Sequence, residues 1–284
     1  KLGNICNTKC RICTSFASSL WAKEESAKGE GYKQSALEFN RRGLWPKTNE
    51  VFWHEIDTLL PSIQKFEFFG GEPLLITRHF DILQTCVDKG YAKDIEISYN
   101  TNGSIYPDQY MSLYKHFKKV QFFFSIDGEG AEFDYLRYPN KFDDVLHNLT
   151  KFVDFANTHE HVEINLFQTI SVLNMCTLEN FTNYCNKNLP MYIHYNMVFE
   201  PKHMSPKVLP KKIKKQISYK YIDAPEYVKR IVNFMNSEDY DISEYEKFIS
   251  STKFSDNYRN ESFPDTFPEL HNLIKDDWNS NEGI

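Results

Sequence analysis

Glycine, positive net charge and long apolar runs are all scarce in this sequence. Only 11 of the 284 residues are glycine, and the formal net charge is −6. A negative chain has no long-range attraction for phosphates, which excludes a generally basic nucleic-acid coat and argues against a nucleic-acid partner. No stretch approaches the ~20 apolar residues of a membrane span, so no membrane partner is expected. No secretory signal is visible, and because the chain opens at Lys1 rather than Met, we expect upstream residues to be missing.

Aromatic and other hydrophobic residues are plentiful by contrast. They make up 15% and 41% of the chain, and 25% is charged, which is typical of a packed globular protein. The length predicts one large α/β domain or about two domains. A chain of this size buries a sizeable core without disulfide bonds.

Six cysteines occur, and their spacing is more informative than their number. A long chain without a secretory signal favours reduced thiols in the cytoplasm. Three cysteines are scattered through segments of helical periodicity, and we interpret them as small buried hydrophobic residues. They are Cys86, Cys176 and Cys185. The other three, Cys6, Cys10 and Cys13, fall within eight residues.

Five short runs rich in β-branched and aromatic residues predict β-strands. They cover residues 65–69, 94–99, 120–126, 162–170 and 191–198. Longer segments with hydrophobic residues at helical spacing predict helices. They cover residues 50–60, 79–89, 108–118, 143–158 and 178–188. The alternation of strand and helix predicts an α/β fold with a parallel sheet and right-handed crossovers.

A sixth strand would end at about Leu2, which gives six strand–helix units. Six units indicate a TIM-like barrel or part of one, with a doubly wound open sheet as the alternative. After about residue 200 a Lys-rich stretch at 202–220 precedes further helical segments, and we interpret its lysines as a solvated helix face. The segments cover residues 225–236, 242–251 and 268–278. We therefore predict a core over residues 1–200 and a helical C-terminal extension over 201–284.

Polar or glycine-rich segments follow the predicted strands, where α/β proteins build their sites. The first segment is the cysteine loop, residues 6–13. The others are Gly70-Gly71-Glu72-Pro73, Asn100-Thr101-Asn102-Gly103, Ser125-Ile126-Asp127-Gly128 and Thr169-Ile170-Ser171. Taken singly, each has an ordinary structural interpretation as a turn or a helix cap. Arg137 suits bidentate binding of a carboxylate, although a surface arginine is its ordinary interpretation. The order and co-occurrence of the segments indicate a binding site.

Three thiols so close together indicate a metal centre with one open position. Structural zinc sites use four ligands, and neither a histidine nor a fourth cysteine lies nearby in the sequence. An iron–sulfur cluster is normally held by four cysteines, so three would leave one iron for another ligand. Cysteines without metal, or a zinc site completed by distant residues, are the alternatives.

The order of these motifs resembles the radical S-adenosylmethionine (SAM) superfamily. The spacing Cys6-x3-Cys10-x2-Cys13 is similar to its cluster motif, and Gly70-Gly71-Glu72-Pro73 is similar to its motif for the SAM amino group. Residues 100–103 and 125–128 resemble motifs of its peptide-modifying branch, especially proteins with a twitch or SPASM domain. The resemblance extends over about residues 1–174.

The resemblance implies a partial (β/α)6 TIM-like barrel that binds a [4Fe-4S] cluster and SAM. Cys6, Cys10 and Cys13 would ligate three irons, and SAM would bind the fourth. The cofactor-binding residues that it implies are Gly70, Gly71, Glu72, Asn102, Ser125, Asp127, Arg137, Thr169, Ser171 and Leu173. Ile12 departs from the family pattern, which often has an aromatic residue there. No further cysteine set completes an auxiliary cluster, so one cluster is predicted.

The resemblance also implies roles within this set. Glu72 and the Gly70–Gly71 backbone would hold the amino group of SAM, and Arg137 would face its carboxylate. Ser125 would lie beside that carboxylate or near the ribose. Thr169 and the backbone of 171–173 would border the ribose and adenine, although Ser171-Val172-Leu173-Asn174 stands where the family has its GxIxGxxE-like motif.

Three hypotheses about function follow. In the first, the protein is a radical SAM enzyme that forms a 5′-deoxyadenosyl radical and abstracts a hydrogen from a peptide or protein side chain, with an electron donor such as flavodoxin or ferredoxin. In the second, the same chemistry acts on a small metabolite, nucleotide or sugar. In the third, the protein is a non-enzymatic zinc or thiol binding module. No general acid or base is assigned, and Asp127, Tyr135 and Glu200 are candidates by position only.

Overall fold

The computed structural model describes residues 2–189, 191–238 and 241–280. Five β-strands in this part of the chain form one sheet in the order β1-β2-β3-β4-β5. The strands are β1 Lys65–Phe68, β2 Glu96–Thr101, β3 Lys119–Ser125, β4 Val162–Ile170 and β5 Ile193–Met197. Strand β2 pairs in parallel with both β1 and β3, and helical segments separate successive strands. The predicted α/β fold with a parallel sheet is confirmed.

Thirteen α-helices lie in the described part of the chain. They are α1 Trp21–Ser26, α2 Glu30–Gly43, α3 Trp45–Thr48, α4 Glu50–Leu59, α5 Arg78–Asp88, α6 Gly130–Leu136, α7 Phe142–Asn157, α8 Leu178–Asn188, α9 Lys211–Lys220, α10 Glu226–Asn236, α11 Ile242–Arg259, α12 Phe263–Thr266 and α13 Pro268–Ser280. Each helix in these ranges is too short or too polar to cross a lipid bilayer.

Differences from the predicted elements include two in the first half of the chain. The helices α1 and α2 were not predicted, because α2 buries only Ala36 and Gly43 and so shows little hydrophobic periodicity. The segment Asp108–His116 is a 3-10 helix rather than an α-helix. The side chains that it buries are Met111, Leu113 and Tyr114.

The chain forms two compact units, each assembled from separate stretches of sequence. Unit 1 comprises Lys1–Lys9, Cys13–Ser125 and Pro139–Leu166, and unit 2 comprises Cys10–Ile12, Ile126–Tyr138 and Phe167–Ile284, within the limits of the described residues. The boundary at residue 200 that the sequence predicts stays a prediction.

An aromatic row across three strands forms the centre of unit 1. Phe68 on β1 is opposite Tyr99 on β2, which is opposite Phe122 on β3. Their rings stack at centroid distances of 4.9 and 5.3 Å and are all buried. Successive side chains of a strand point to opposite faces, so this register puts one ring from each strand on the same face. The row therefore fixes the ends of three strands, where three of the predicted site segments begin.

The core of unit 2 joins the C-terminal helices to earlier segments of the chain. Phe248 of α11, Phe263 of α12, and Phe267 are buried in one hydrophobic cluster with Tyr135 of α6. Tyr135 and Phe267 meet edge to face at 5.5 Å. The predicted helical character of the C-terminal region is confirmed by α9 to α13.

The strand expected to end at about Leu2 lies outside the described residues except for Leu2 itself. The backbone N–H of Leu2 donates a hydrogen bond to the carbonyl of Phe69 at 3.1 Å, directly after β1.

Candidate functional site

Polar groups surround the sulfur of Cys6 in unit 1. The Sγ atom lies 3.1 Å from the Thr8 hydroxyl, and the Asn102 amide Nδ2 donates to it at 3.9 Å. The backbone N–H of Cys6 donates to the Ser19 hydroxyl at 3.3 Å, which fixes the loop at this point. Donors near a cysteine sulfur stabilise negative charge on it, and such contacts tune iron–sulfur centres.

The glycine pair after β1 allows its loop to approach the residue before Cys6. Gly70 and Gly71 have φ values of 87° and 59°, a region that disfavours any side chain. A Cβ atom on Gly71 would lie 2.2 Å from the carbonyl oxygen of Ile5, a severe clash. The next residue uses this closeness, because the Glu72 N–H donates to the same oxygen at 2.8 Å.

The carboxylate of Glu72 is fully buried and fixed in orientation. Its Oε1 accepts hydrogen bonds from the Leu74 N–H at 3.1 Å and from the Thr101 hydroxyl at 2.9 Å. Its Oε2 accepts from the Asn102 N–H at 2.6 Å. Hydrogen bonds to a buried carboxylate offset the loss of water around it.

The loop after β2 also joins the cysteine loop. The Asn102 Nδ2 donates to the Asn7 Oδ1 at 2.9 Å, and the Ser104 hydroxyl donates to the Asn102 Oδ1 at 2.6 Å. Unit 1 thus brings Cys6, Gly71, Glu72 and Asn102 together. Cys13 and Ser125 are half-buried residues of the same unit.

In unit 2, Cys10 and Asp127 share the guanidinium of Arg137. The Arg137 Nη1 donates to the buried Cys10 Sγ at 3.7 Å, and its Nε donates to the Asp127 Oδ2 at 2.6 Å. The other oxygen of Asp127 accepts from the Thr169 N–H at 2.7 Å. Asp127 therefore both orients the arginine and fixes the end of β4.

The turn after β4 is closed by its own side chains. The Asn174 Oδ1 accepts from the Ser171 N–H at 2.8 Å, and the Ser171 hydroxyl accepts from the Leu173 N–H at 3.3 Å. The Asn174 Nδ2 donates to the Asp127 carbonyl at 3.2 Å. Unit 2 thus brings Asp127, Thr169, Ser171 and Leu173 together.

Two buried polar residues were missed by the sequence analysis. Gln168 donates through Nε2 to the Asp127 carbonyl at 3.3 Å, and its Oε1 has no hydrogen-bond partner among the described residues. Gln168 lies between Leu166 and Ile170 at every second position of β4, so the sequence pattern places its polar side chain on the buried face. Arg11 lies inside the cysteine loop, and no local pattern identifies its partners far along the chain.

The three positional candidates for a base have different surroundings. Tyr135 donates its hydroxyl to the Asp256 Oδ1 at 2.7 Å, and burial raises its pKa well above the usual value, so the phenol stays protonated. Asp127 is ion-paired with Arg137. Glu200 is exposed and accepts from the Lys202 N–H at 3.2 Å.

The scattered cysteines are buried, as the sequence predicts, and none of the six cysteines is in a disulfide. Burial raises the pKa of the Cys86 thiol to about 11 and the pKa values of the Cys176 and Cys185 thiols to about 12. These three thiols are therefore protonated at neutral pH.

The chemistry of the cysteine loop fits a cluster. Among the described residues, no group of three or more His, Cys, Asp or Glu side chains is arranged around a single ion. In a [4Fe-4S] cluster each cysteine thiolate binds its own iron. Cys6 and Cys10 are buried and each has an N–H donor at its sulfur, which suits thiolates of a cluster.

Comparisons with known proteins agree with these features. A sequence model of the Radical SAM superfamily matches residues 1–165. The structure of native anSMEcpe with bound AdoMet has a TM-score of 0.52 and 19% identity over 89% of this chain and 64% of that chain. The structure of native anSMEcpe with bound AdoMet and Kp18Cys peptide has a TM-score of 0.50 and 18% identity, with the same coverage. The likeness shows the partial-barrel fold, and the chain spans about 64% of the length of anSMEcpe. No curated protein sequence matches the chain.

Proposed function

This chain belongs to the radical SAM superfamily, and from that premise we propose that it is an enzyme that abstracts a hydrogen atom from a peptide or protein side chain. Members of the superfamily use a [4Fe-4S] cluster and SAM, which together supply a 5′-deoxyadenosyl radical when bound and reduced. The observation that carries the proposal is the close packing of the Gly70–Glu72 loop and Asn102 on the cysteine loop, with Cys6 at its centre.

In unit 1, we assign Cys6 and Cys13 as cluster ligands and Glu72 as the group that binds the amino group of SAM. The three hydrogen bonds to its carboxylate support this role, because a fixed anion binds an ammonium group without reorganising. The backbone of Gly70 and Gly71 and the side chains of Asn102 and Ser125 complete this group.

In unit 2, we assign Cys10 as the third ligand and Arg137 as the cation that faces the carboxylate of SAM. The ion pair with Asp127 supports the role of Arg137, since it holds the guanidinium in one position. Thr169, Ser171 and Leu173 would border the ribose and adenine, and the bonded turn at 171–174 keeps their backbone fixed.

A peptide substrate is supported by two observations. Residues 100–103 and 125–128 resemble motifs of the peptide-modifying branch, especially of its twitch or SPASM proteins. The fold is similar to that of anSMEcpe, which binds a peptide in its complex. We also propose a flavodoxin or ferredoxin as electron donor, a cytoplasmic location, and a radical SAM core over residues 1–200 with an extension over 201–284.

The test of the proposed chemistry is anaerobic. The purified protein is reconstituted with iron and sulfide, reduced with dithionite and incubated with SAM, and 5′-deoxyadenosine is measured by mass spectrometry. We expect 5′-deoxyadenosine from the native chain and none from Cys10→Ala. A native chain with an intact cluster and no 5′-deoxyadenosine contradicts the proposal.

Isotope transfer tests the substrate class. The same reaction is run with a deuterated protein digest, and in parallel with deuterated nucleosides and sugars. We expect deuterium in 5′-deoxyadenosine from the peptides. If only a nucleoside or a sugar transfers deuterium, the substrate is a small molecule and the proposed peptide substrate is wrong.

A further inference from the structure

Arg11 is a buried cation inside the cysteine loop, between Cys10 and Cys13. Its side chain is 3% exposed. Its Nη2 donates to the Asp256 Oδ1 and to the Glu261 Oε2, each at 2.7 Å. These carboxylates lie 245 and 250 residues further along the chain, at and just beyond the end of α11. The loop and this C-terminal segment are therefore joined by charge.

Tyr135 and Leu136 of α6 hold the same arginine from another side. The Arg11 guanidinium carbon lies 3.8 Å from the centroid of the Tyr135 ring, a cation–π contact. The Tyr135 hydroxyl donates to the same Asp256 oxygen at 2.7 Å. The Arg11 backbone N–H donates to the Leu136 carbonyl at 2.9 Å. Both the main chain and the side chain of residue 11 are thus fixed.

Each of the two carboxylates has a second partner besides Arg11. The second oxygen of Asp256 accepts from the Phe263 N–H at 2.7 Å. The Glu261 Oε2 lies 4.0 Å from the Arg259 Nη1, whose side chain is fully buried. Two cations and two anions therefore balance in this buried group. Removing one member leaves an uncompensated buried charge, which is more costly than the loss of a surface pair.

We propose that Arg11, Tyr135, Asp256 and Glu261, here called the loop clamp, hold Cys10–Ile12 in the conformation that binds the cluster. They are positioning residues, and they make the end of α11 part of the radical site. This inference rests on the proposed function, because the clamp serves catalysis only if the cysteine loop binds a cluster.

A purely structural role for these residues would stabilise unit 2 without affecting Cys10 in particular. The two roles differ in what happens to individual thiols when the clamp is broken. A loosened loop exposes Cys10 alone, whereas a weakened fold also exposes the buried thiols of Cys176 and Cys185 in the same unit.

The first experiment uses the full chain without metal, so it does not depend on the cluster. Alkylation of each cysteine by iodoacetamide is followed by mass spectrometry in the native chain, in Asp256→Asn and in Asp277→Asn. Asp277 is a matched control, since it also accepts a tyrosine hydroxyl, from Tyr245 at 2.8 Å. We expect Cys10 in Asp256→Asn to react at least about tenfold faster, which corresponds to ~1.4 kcal/mol of loop closure. We expect no change in Asp277→Asn or at Cys176 and Cys185.

The second experiment measures the reconstituted cluster. Iron per chain, the electron paramagnetic resonance spectrum of the reduced protein and its midpoint potential are compared among the same three proteins. We expect Asp256→Asn to lose iron, or to keep it with a changed spectrum and potential, and Asp277→Asn to match the native chain. If Asp256→Asn does not fold, Tyr135→Phe tests the same point, because it removes one hydrogen bond to Asp256 and keeps every charge. We then expect a smaller increase in the alkylation rate of Cys10.

The outcomes separate the clamp from the proposed function. The clamp is overturned if its variants have the same thiol reactivity, iron content and spectrum as the native chain. It is also overturned if reactivity rises equally at Cys10, Cys176 and Cys185. In both cases a native chain that forms 5′-deoxyadenosine leaves the proposed function intact. A native chain that binds no [4Fe-4S] cluster overturns the proposed function and the positioning role together.

Discussion

Unit 1 holds its candidate site residues by close backbone approach and neutral donors, whereas unit 2 adds buried ion pairs to its neutral hydrogen bonds. In unit 1, Gly71 lies against the carbonyl of Ile5, and hydroxyl and amide groups fix Glu72. In unit 2, Arg137 pairs with Asp127, and Arg11 pairs with Asp256 and Glu261.

The difference lies in how each arrangement is encoded. A close approach of two backbone segments requires glycine, and the pair Gly70-Gly71 stands out in a sequence that has only 11 glycines. A buried ion pair requires two charged residues that need not be near each other in sequence. Unit 1 is therefore recognisable from short motifs, and unit 2 only in part. The four predictions below test this contrast, beginning with a proposed cluster ligand.

Cys10→Ala is expected to have the largest effect. Two thiolates do not retain a four-iron cluster, so the loss of one of the three proposed ligands should release it. We expect no bound iron above background and no 5′-deoxyadenosine, measured by iron analysis and mass spectrometry. Cys185→Ala is the matched control, because it removes a buried thiol outside the loop. Equal iron in both variants would contradict the assignment of Cys10.

Asp127→Asn tests the ion pairs of unit 2. Asparagine still accepts from the Thr169 N–H, but it leaves the buried Arg137 without its anion. Breaking a buried pair costs ~3–5 kcal/mol, so we expect a loss of that size in the free energy of unfolding, measured with urea. Glu38→Gln breaks exposed pairs with Arg41 and Arg42 and should leave the midpoint unchanged. Equal midpoints for the two variants would contradict the prediction that the buried ion pair contributes more to stability than the exposed pairs.

His79 should give unit 1 an acid-sensitive stability. Burial lowers its pKa from 6.5 to about 4, and its Nε2 meets the Tyr99 hydroxyl at 2.7 Å. Between these values the unfolded chain binds a proton that the folded chain does not. Stability is therefore fully present above about pH 6.5 and is lost as the pH falls toward 4, by at most ~3 kcal/mol.

Urea unfolding of the native chain and of His79→Gln, measured from pH 7 to pH 4.5, checks this contribution. The difference in stability between the two proteins should shrink as the pH falls, because only the native chain carries the buried imidazole. A constant difference across the range contradicts the prediction.

Glu72→Ala is expected to have the smallest effect on the cluster and a selective effect on SAM. A charge-assisted hydrogen bond contributes ~1.5–3 kcal/mol, so the dissociation constant for SAM should rise about tenfold to a hundredfold. The cluster should remain, because Glu72 is not one of its ligands. Isothermal titration with the reconstituted protein measures the affinity, and native affinity in this variant would reject the placement of the SAM amino group at Glu72.

The sheet was predictable because its strands have strong local patterns. The predicted range of β4, Val162–Ile170, is the observed one, and β3 differs by one residue at each end. Their β-branched and aromatic residues fit a buried parallel sheet whatever the rest of the chain does. The prediction of helix α11 ended at residue 251, whereas the helix continues to Arg259. Its buried face there carries Thr252, Ser255 and Asp256, so the hydrophobic periodicity stops while the helix does not.

The candidate site was predictable where its residues lie in short continuous motifs. The glycine pair, Glu72 and Asn102 lie in continuous segments, and the structure brings them to Cys6 in unit 1. Asp127 and Arg137 are ten residues apart, and sequence alone does not say that they pair. The partners of Arg11 lie some 250 residues away, and charge complementarity over that separation leaves no local pattern.

The deep burial of Cys86, Cys176 and Cys185 makes iron analysis of this protein easy to interpret. Burial raises the pKa of each thiol, to about 11 for Cys86 and to about 12 for the other two, and so disfavours the thiolates that would compete for added iron. The iron that Cys185→Ala retains and Cys10→Ala loses then reports the occupancy of the amino-terminal loop.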